Sequence, residues 1–418
     1  MTRPTLLARK ALILPIALFG LISVCSIGAS AQTYTVLHNF GGPGDGTEPI
    51  APVVLDAQGN LYGTTLTGGQ NGGGTVFELT PSGGNWTESV LYSFTDQSQA
   101  QFAPVALDVR GNLYGEIQGG GYQNYGSVYE LSPSGGGSWT LQTVHTFTGY
   151  PDGAAPTGGL VVGNANQIYG VANTGGHRNV GEVFGFDRLS ATNWSELSLY
   201  SFLGSSQGQY PGGPLTVDAA GNLYGVSGGG TGNSGMIFKL TPNHRSFGWA
   251  ESQLYSFQYP AGSSNGGLIF DAAGNIYGTG NEDGKFFRGS VYELSPNQDG
   301  TWTYTLLYSF TDENGDGGFP FAGLVMDAAG NLYGTTRQGG SYQGFYCYYA
   351  GCGTIFKLTP VGNGQWTESI VHAFDNDDGS APQDALVQDR AGNLYGTASG
   401  GGTNNLGVVF EFTPAPAR

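Results

Sequence analysis

The chain has 418 residues and carries 31 acidic against 14 basic side chains, a formal charge of −17 at pH 7. That balance excludes nucleic acid and anionic membrane surfaces as natural partners, because binding them rests on lysine and arginine releasing counterions. With 75 glycines and 20 prolines the composition nears the low-complexity range, but 13% aromatic residues would leave too much ring area in water for a disordered chain.

The N-terminus sets Arg3, Arg9 and Lys10 before an apolar run from Ala11 to Ile27, followed by Ala29-Ser30-Ala31. This order reads as a secretory signal peptide, residues 1–31, cleaved after Ala31, with an uncleaved anchor as the alternative. Lipid attachment at Cys25 is disfavoured by the bulky Val24 beside it. No later segment is apolar enough to cross a bilayer, so no membrane span is expected in the mature chain. That chain, 32–418, keeps only Cys347 and Cys352, in "CYYAGC". In an oxidising compartment the pair points to a local disulfide, since no further ligands stand near enough for zinc.

The first mature segment, "TYTVLHNF" (Thr33 to Phe40), acquires its meaning only from the repeats downstream of it. "APVVLDA" (Ala51 to Ala57), "NLYGTT", "TVFELT" and "TESVLYSF" read as four short strands a to d, rich in Val, Leu, Tyr, Phe and Thr and bounded by Gly, Pro, Asn and Asp. The "DAQGN" between a and b is a hairpin turn in which Asp accepts a backbone hydrogen bond and Gly takes positive φ. In the next strand, Leu and Tyr point to opposite faces, each against a neighbouring sheet. The tyrosine recurs at Tyr62, Tyr114, Tyr169, Tyr224, Tyr277, Tyr333 and Tyr395, at intervals of 52 to 62 residues. No stretch sustains a helical apolar period.

Seven four-stranded units of this length predict an all-β fold, a seven-bladed β-propeller of antiparallel blades. The strand-d motif follows Trp86, Trp139, Trp194, Trp249, Trp302 and Trp366, and its seventh copy is the N-terminal "TYTVLHNF". The chain ends on strand c of unit seven, "VVFEFTP". Pairing the two ends would close the ring and remove the open sheet edges. One propeller is thus expected over 32–418, as a monomer. The third unit is the least regular: "VVGNANQIYG" lacks the Asp turn and "VFGFDR" lacks the Thr-Pro.

On "DAAGNLYGTT", the "GGTVFELTP"-like strands and "WTESVLYSF", the chain resembles the Gloeo-Verruco (GloVer) tandem-repeat family of secreted bacterial proteins, and more loosely the NHL-type repeat. The resemblance spans the mature chain and implies an extracytoplasmic location, secreted or periplasmic in a bacterium, with no assigned activity. Family members carry varied C-terminal anchors. The ending "TPAPAR" has neither a hydrophobic nor a basic tail, so none is expected here.

In a propeller the d–a and b–c loops share one face, around the axis. The b–c loops are glycine-rich, and the longest, "RQGGSYQGFYCYYAGCG", concentrates Tyr342, Phe345, Tyr346, Tyr348 and Tyr349. Such rings suit stacking on sugars or an apolar partner, or else cover a blade seam. Among the acidic d–a loops, "DENGDG" sets Asp312, Asn314 and Asp316 in the alternation of a calcium loop, but position twelve is Gly323, so it is no EF-hand. Calcium is the ion such a loop would take; solvated turn acids are the plainer reading. His38, His145 and His372 occupy the tyrosine place of "LYSF" and read as structural substitutes, and His244 falls in a c–d loop on the opposite face. His177 with Arg178, Arg288 and Arg337 would be the base and carboxylate-neutralising groups of a uronate lyase, though the acidic chain disfavours an acidic polysaccharide. The carboxylate pair of a glycosidase is not distinguishable among so many turn acids. Three functions therefore stand: a secreted binding propeller recognising a glycan or protein partner without catalysis, a polysaccharide lyase or glycoside hydrolase on the same face, and a structural envelope protein.

Overall fold

The computed structural model describes residues 32–95, 103–163, 166–243, 248–259, 266–342, 347 and 350–415. The expected signal peptide and His244 lie outside them. Each blade grows from one local device. In the first unit Asp56 Oδ1 accepts the backbone N–H of Gln58 and of Asn60, while Oδ2 accepts the Asn60 amide and the Tyr62 hydroxyl. One carboxylate thus pins the turn, the start of strand b and the tyrosine that recurs in every unit. The same set forms around Asp218, Asp271, Asp327 and Asp389. Blade 3 lacks the aspartate and closes its turn with a bond from Gly163 N to Gln167 O, in keeping with its irregular sequence.

From these hairpins come seven antiparallel blades. In blade 1, strands a to d are Val54–Leu55, Leu61–Thr65, Gly72–Ser82 and Asn85–Thr95. Strand a is shorter there than the expected Ala51 to Ala57, with only Val54 and Leu55 paired to strand b. In blades 3 and 4 it is long, Gly153–Val162 and Gln209–Val217. The ring closes as predicted: Thr33–Asn39 is the outer strand of blade 7, antiparallel to Val408–Thr413, with Tyr34 opposite Phe412 and His38 opposite Val409.

The core lies between blades. Leu61 packs with Phe40, Tyr395 and Val409 of blade 7, while Tyr62 on the other side of the strand packs with Val105, Leu113 and Tyr129 of blade 2. Two contacts repeat at the seams. The strand-d tryptophan meets the strand-b tyrosine of the preceding blade edge-on, as in Trp139 on Tyr62 at 6.4 Å and Trp366 on Tyr277 at 6.2 Å. A strand-b threonine donates to the carbonyl entering the next blade: Thr64 to Ala103, Thr279 to Ala322, Thr335 to Asp384, and across the closure Thr397 to Ala51.

Candidate functional site

The a–b and c–d hairpins turn on one face of the ring. The d–a and b–c loops meet on the other, where Glu48 N donates to Leu406 O and Gly69 N to Asp45 O. On this second face the seven segments entering strand a surround an axial cavity of about 490 Å³. Six of them bring small or imino residues to the axis, such as Ala51-Pro52, Ala103-Pro104 and Gly213-Pro214, to which blade 3 adds Thr157 and blade 6 adds Phe321. The seventh brings Gln383-Asp384. The side chains lining the cavity are Gln118, Thr157, Asn173, Phe321, Gln383 and Asp384, a set of amides, a hydroxyl, a carboxyl and one ring.

Two acids at or behind this lining are unusual. Asp384 is buried, accepts the Thr397 hydroxyl at 2.8 Å, and is pushed up to about 7 by burial despite that bond. Glu116 replaces the latch threonine of strand b in blade 2. It accepts Gly159 N, its other oxygen has no partner, and burial pushes it up to about 8. Thr157 Oγ1, at the cavity, is buried without a hydrogen-bond partner.

The loops of this face expose large rings. Tyr150 and Tyr259 are 71% and 80% exposed, and Tyr210, Phe286 and Phe287 are about half exposed. Tyr259 and Phe287 lie 6.1 Å apart. Tyr150 and Tyr259 stand in d–a loops, Tyr210 opens the long strand a of blade 4, and Phe286 and Phe287 are in a b–c loop. Sequence reasoning misses them because it weighs aromatic density within one loop, and these rings are scattered over several. Of the ring cluster in the longest b–c loop, Tyr342 is exposed, while Phe345, Tyr346, Tyr348 and Tyr349 lie outside the described residues. The disulfide Cys347–Cys352 is present, with both cysteines buried against Phe374, Leu394 and Val408 at the seam of blades 6 and 7.

The four lyase candidates fall into two groups. His177 and Arg178 are exposed on blade 3, where His177 N is bonded to Ser201 of the outer strand and its ring faces Tyr150. Arg288 and Arg337 both flank Phe319 at the joint of blades 5 and 6, through bonds from Phe319 N to Arg288 O and from Arg337 N to Phe319 O. Arg288 stacks over Phe319 and faces Asp312 at 3.9 Å, and Arg337 stacks over Phe321, a ring that lines the axial cavity. In the acidic loop both oxygens of Asp316 are taken by its own loop, Oδ2 by Thr311 and Oδ1 by Gly317 N. Asp312 and Asn314 both adopt left-handed backbone conformations there.

His38, His145 and His372 sit in the tyrosine register, as expected, and each meets an aspartate of the following d–a loop: Asp45 at 3.0 Å, Asp152 at 3.1 Å and Asp378 at 2.9 Å. Across the blade seam His38 faces Glu88, whose carboxyl burial raises to about 6, and His372 stacks on Tyr34 at 3.8 Å. His145 instead meets Glu196 at 3.7 Å. Burial would lower the His145 value, but Asp152 and Glu196 hold it above the ordinary one. Among the described residues, His145, Asp152 and Glu196 are the group whose histidine and carboxylate ligand atoms all lie within 4.8 Å of one another.

The profile described as the Gloeobacter/Verrucomicrobia repeat matches residues 23–138, 87–253 and 248–418. No curated protein sequence matches the chain significantly. Among solved structures the chain is similar to a fungal alcohol oxidase of the AA5 family in complex with copper, at TM-score 0.56 and 15% identity, over 92% of this chain and 77% of that one. It is also similar to the extracellular domain of a protein described as a one-component system from B. thetaiotaomicron, at TM-score 0.54 and 13% identity, over 92% of this chain and 42% of that one. A Bacteroides uniformis protein described as a 6-phosphogluconolactonase gives TM-score 0.52 and 15% identity, over 81% and 88% of the two chains. At such identities the likeness is one of fold.

Proposed function

The chain belongs to the Gloeobacter/Verrucomicrobia repeat family, and we propose that it is an exported, non-catalytic propeller that binds an extracellular glycan over its axial cavity. The observation that carries this reading is the union, on one face, of a cavity lined by amide, hydroxyl and carboxyl groups with exposed rings in the loops around it. Sugars present hydroxyls that need paired donors and acceptors, and apolar ring faces that stack on aromatics. Gln118, Gln383 and Asp384 would meet the hydroxyls, while Tyr150, Tyr210 and Tyr259 would supply stacking platforms. The disulfide, the leader-like N-terminus and the family support an extracytoplasmic setting.

The test is a neutral-glycan array followed by calorimetry on any glycan retained. Replacing Gln118 and Gln383 together by alanine is expected to weaken binding by about tenfold or more, as two buried polar contacts imply. Tyr259→Ala is expected to weaken it less. Binding unchanged in both variants would overturn the placement. Turnover, seen as unsaturated products in the ultraviolet or as new reducing ends, would overturn the absence of catalysis and restore the lyase or hydrolase reading. An array with no retained glycan would leave the envelope-protein reading standing in its place.

A further inference from the structure

The seam between blades 2 and 3 differs from its counterparts in a way that the fold does not require. At the strand-c position just before the recurring Val/Ile-Phe/Tyr pair, blades 1, 2, 5 and 6 carry Thr75, Ser127, Ser290 and Thr354, each a small hydroxyl, and blades 4 and 7 carry Met236 and Val408. Blade 3 carries Glu182 there. Where strand d of blade 1 has Val90, that of blade 3 has Ser198, which donates to Glu182 Oε2 at 3.1 Å. Glu182 is 1% exposed, and its Oε1 has no hydrogen-bond partner. That atom lies 3.0 Å from the place a Cβ on Gly153 would take, beside Asp152. The charged groups acting on Glu182 are Asp152, Glu196 and His145. One imidazole and three carboxyl groups thus converge at one seam, in a half-buried place.

We propose that His145, Asp152 and Glu196, backed by Glu182, form a site for a single zinc-like divalent transition-metal ion that clamps blade 2 to blade 3. The geometry fits the ion. Ligand atoms around tetrahedral zinc with bonds of about 2.0–2.1 Å stand about 3.3 Å apart. Here His145 Nε2 lies 3.1 Å from Asp152 Oδ2 and 3.7 Å from Glu196 Oε1. The ion would replace the direct His145–Asp152 contact, and Oδ2 would keep its bond from Thr148 N. An imidazole beside carboxylates suits zinc and its neighbours, whereas calcium takes six or more oxygens. Glu196 is the most exposed of the group and gives the ion its entry from solvent. The seam formed by His38, Asp45 and Glu88 carries the same residue types, but Thr75 stands where Glu182 would be. It therefore serves as an internal control.

The experiment uses the full mature chain, stripped with a chelator and titrated with zinc by calorimetry, with cobalt as a visible-absorbance probe. One zinc per chain, of micromolar affinity or tighter, is expected, with a rise in melting temperature that calcium does not reproduce. Glu196→Gln and Glu182→Gln should each weaken zinc by about tenfold or more while the metal-free variants melt as the parent does. His38→Gln should leave zinc binding unchanged. The proposal is overturned by the absence of stoichiometric zinc binding, by calcium matching zinc, or by zinc binding that survives Glu196→Gln and Glu182→Gln in folded protein.

Discussion

Two glycines of the recurring turn-and-strand sequence "GNLYG", Gly330 to Gly334 in blade 6, stand for opposite reasons, and substitution separates them. Gly330 has φ +82° with nothing within 4 Å of a built Cβ, so its role is conformational. Gly334, four residues on, has room for no side chain: a Cβ there would lie 2.6 Å from Phe356 Cζ and 3.1 Å from Leu324 Cδ2. Gly330→Ala should therefore cost about 1 kcal/mol through a left-handed backbone. Gly334→Ala should cost about 2–3 kcal/mol through overpacking of the ring that crosses it. Denaturant midpoints of the two variants rank them, and equal midpoints would refute the distinction. The motif is legible as a turn because Asp, Gly and Asn have local chemistry. The second glycine is not, because the ring that forbids its side chain comes from strand c, more than twenty residues away in sequence.

At the scale of the element, strand b latches four blades to the next through a threonine; blades 3 and 4 carry Val171 and Val226 at that place, and blade 2 carries a carboxyl. Thr64, Thr279, Thr335 and Thr397 donate to carbonyls, whereas Glu116 at the same place accepts from Gly159 N and is wholly buried. Burial raises its folded-state value from 4.5 to about 8. A raised carboxyl value means that the folded chain holds a proton the unfolded chain has lost, so this group's contribution is intact below about 4.5 and is lost as pH rises through about 8. Glu116→Gln keeps the acceptor without the charge. It should match the parent at pH 5 and exceed it by about 2–3 kcal/mol at pH 9, measured by denaturant unfolding at both values. An identical gain at both pH values would show that packing and not ionisation is responsible. The seam site illustrates the limit of reading strands singly. His145 is placed in the tyrosine register by sequence alone, but Asp152, Glu182 and Glu196 become its neighbours only when two blades are set side by side. The axial lining is likewise hidden: Gln118 and Gln383 are 265 residues apart and share a cavity only because the ring closes.

For the whole molecule, closure rests on one strand, which makes the N-terminal segment the place where a local change has a global effect. Tyr34 packs against Phe374 and Phe410, stacks on His372, and donates its hydroxyl to Asp378 O, so it binds blade 7 to blade 6. Tyr34→Ala should lower stability by about 3–4 kcal/mol, more than the same change at the exposed Tyr342, and should raise proteolysis of the N-terminal strand first. Charge sets a second global property. Asp108, Asp218 and Asp271 are drawn up by burial, yet the hydrogen bonds of their turns hold them below the ordinary aspartate value of 3.8. Their stabilisation is present above that value and is lost as pH falls through the lower folded one. Glu116 and Asp384 work in the opposite sense, with burial raising both, and the stability linked to them fades as pH rises through about 7 and 8. The net acidity of the chain adds self-repulsion on the alkaline side. The fold should therefore be most stable in acid solution, at about pH 4–5 where these opposed windows meet, with a decline on each side. Denaturant midpoints from pH 3 to 9 trace the curve. The double variant Glu116→Gln with Asp384→Asn should make its alkaline limb shallower, the remainder coming from Glu88 and the other acids raised by burial, while leaving the acid limb in place, because the turn aspartates are untouched. An alkaline limb that persists unchanged in that variant would place its origin elsewhere in the ring.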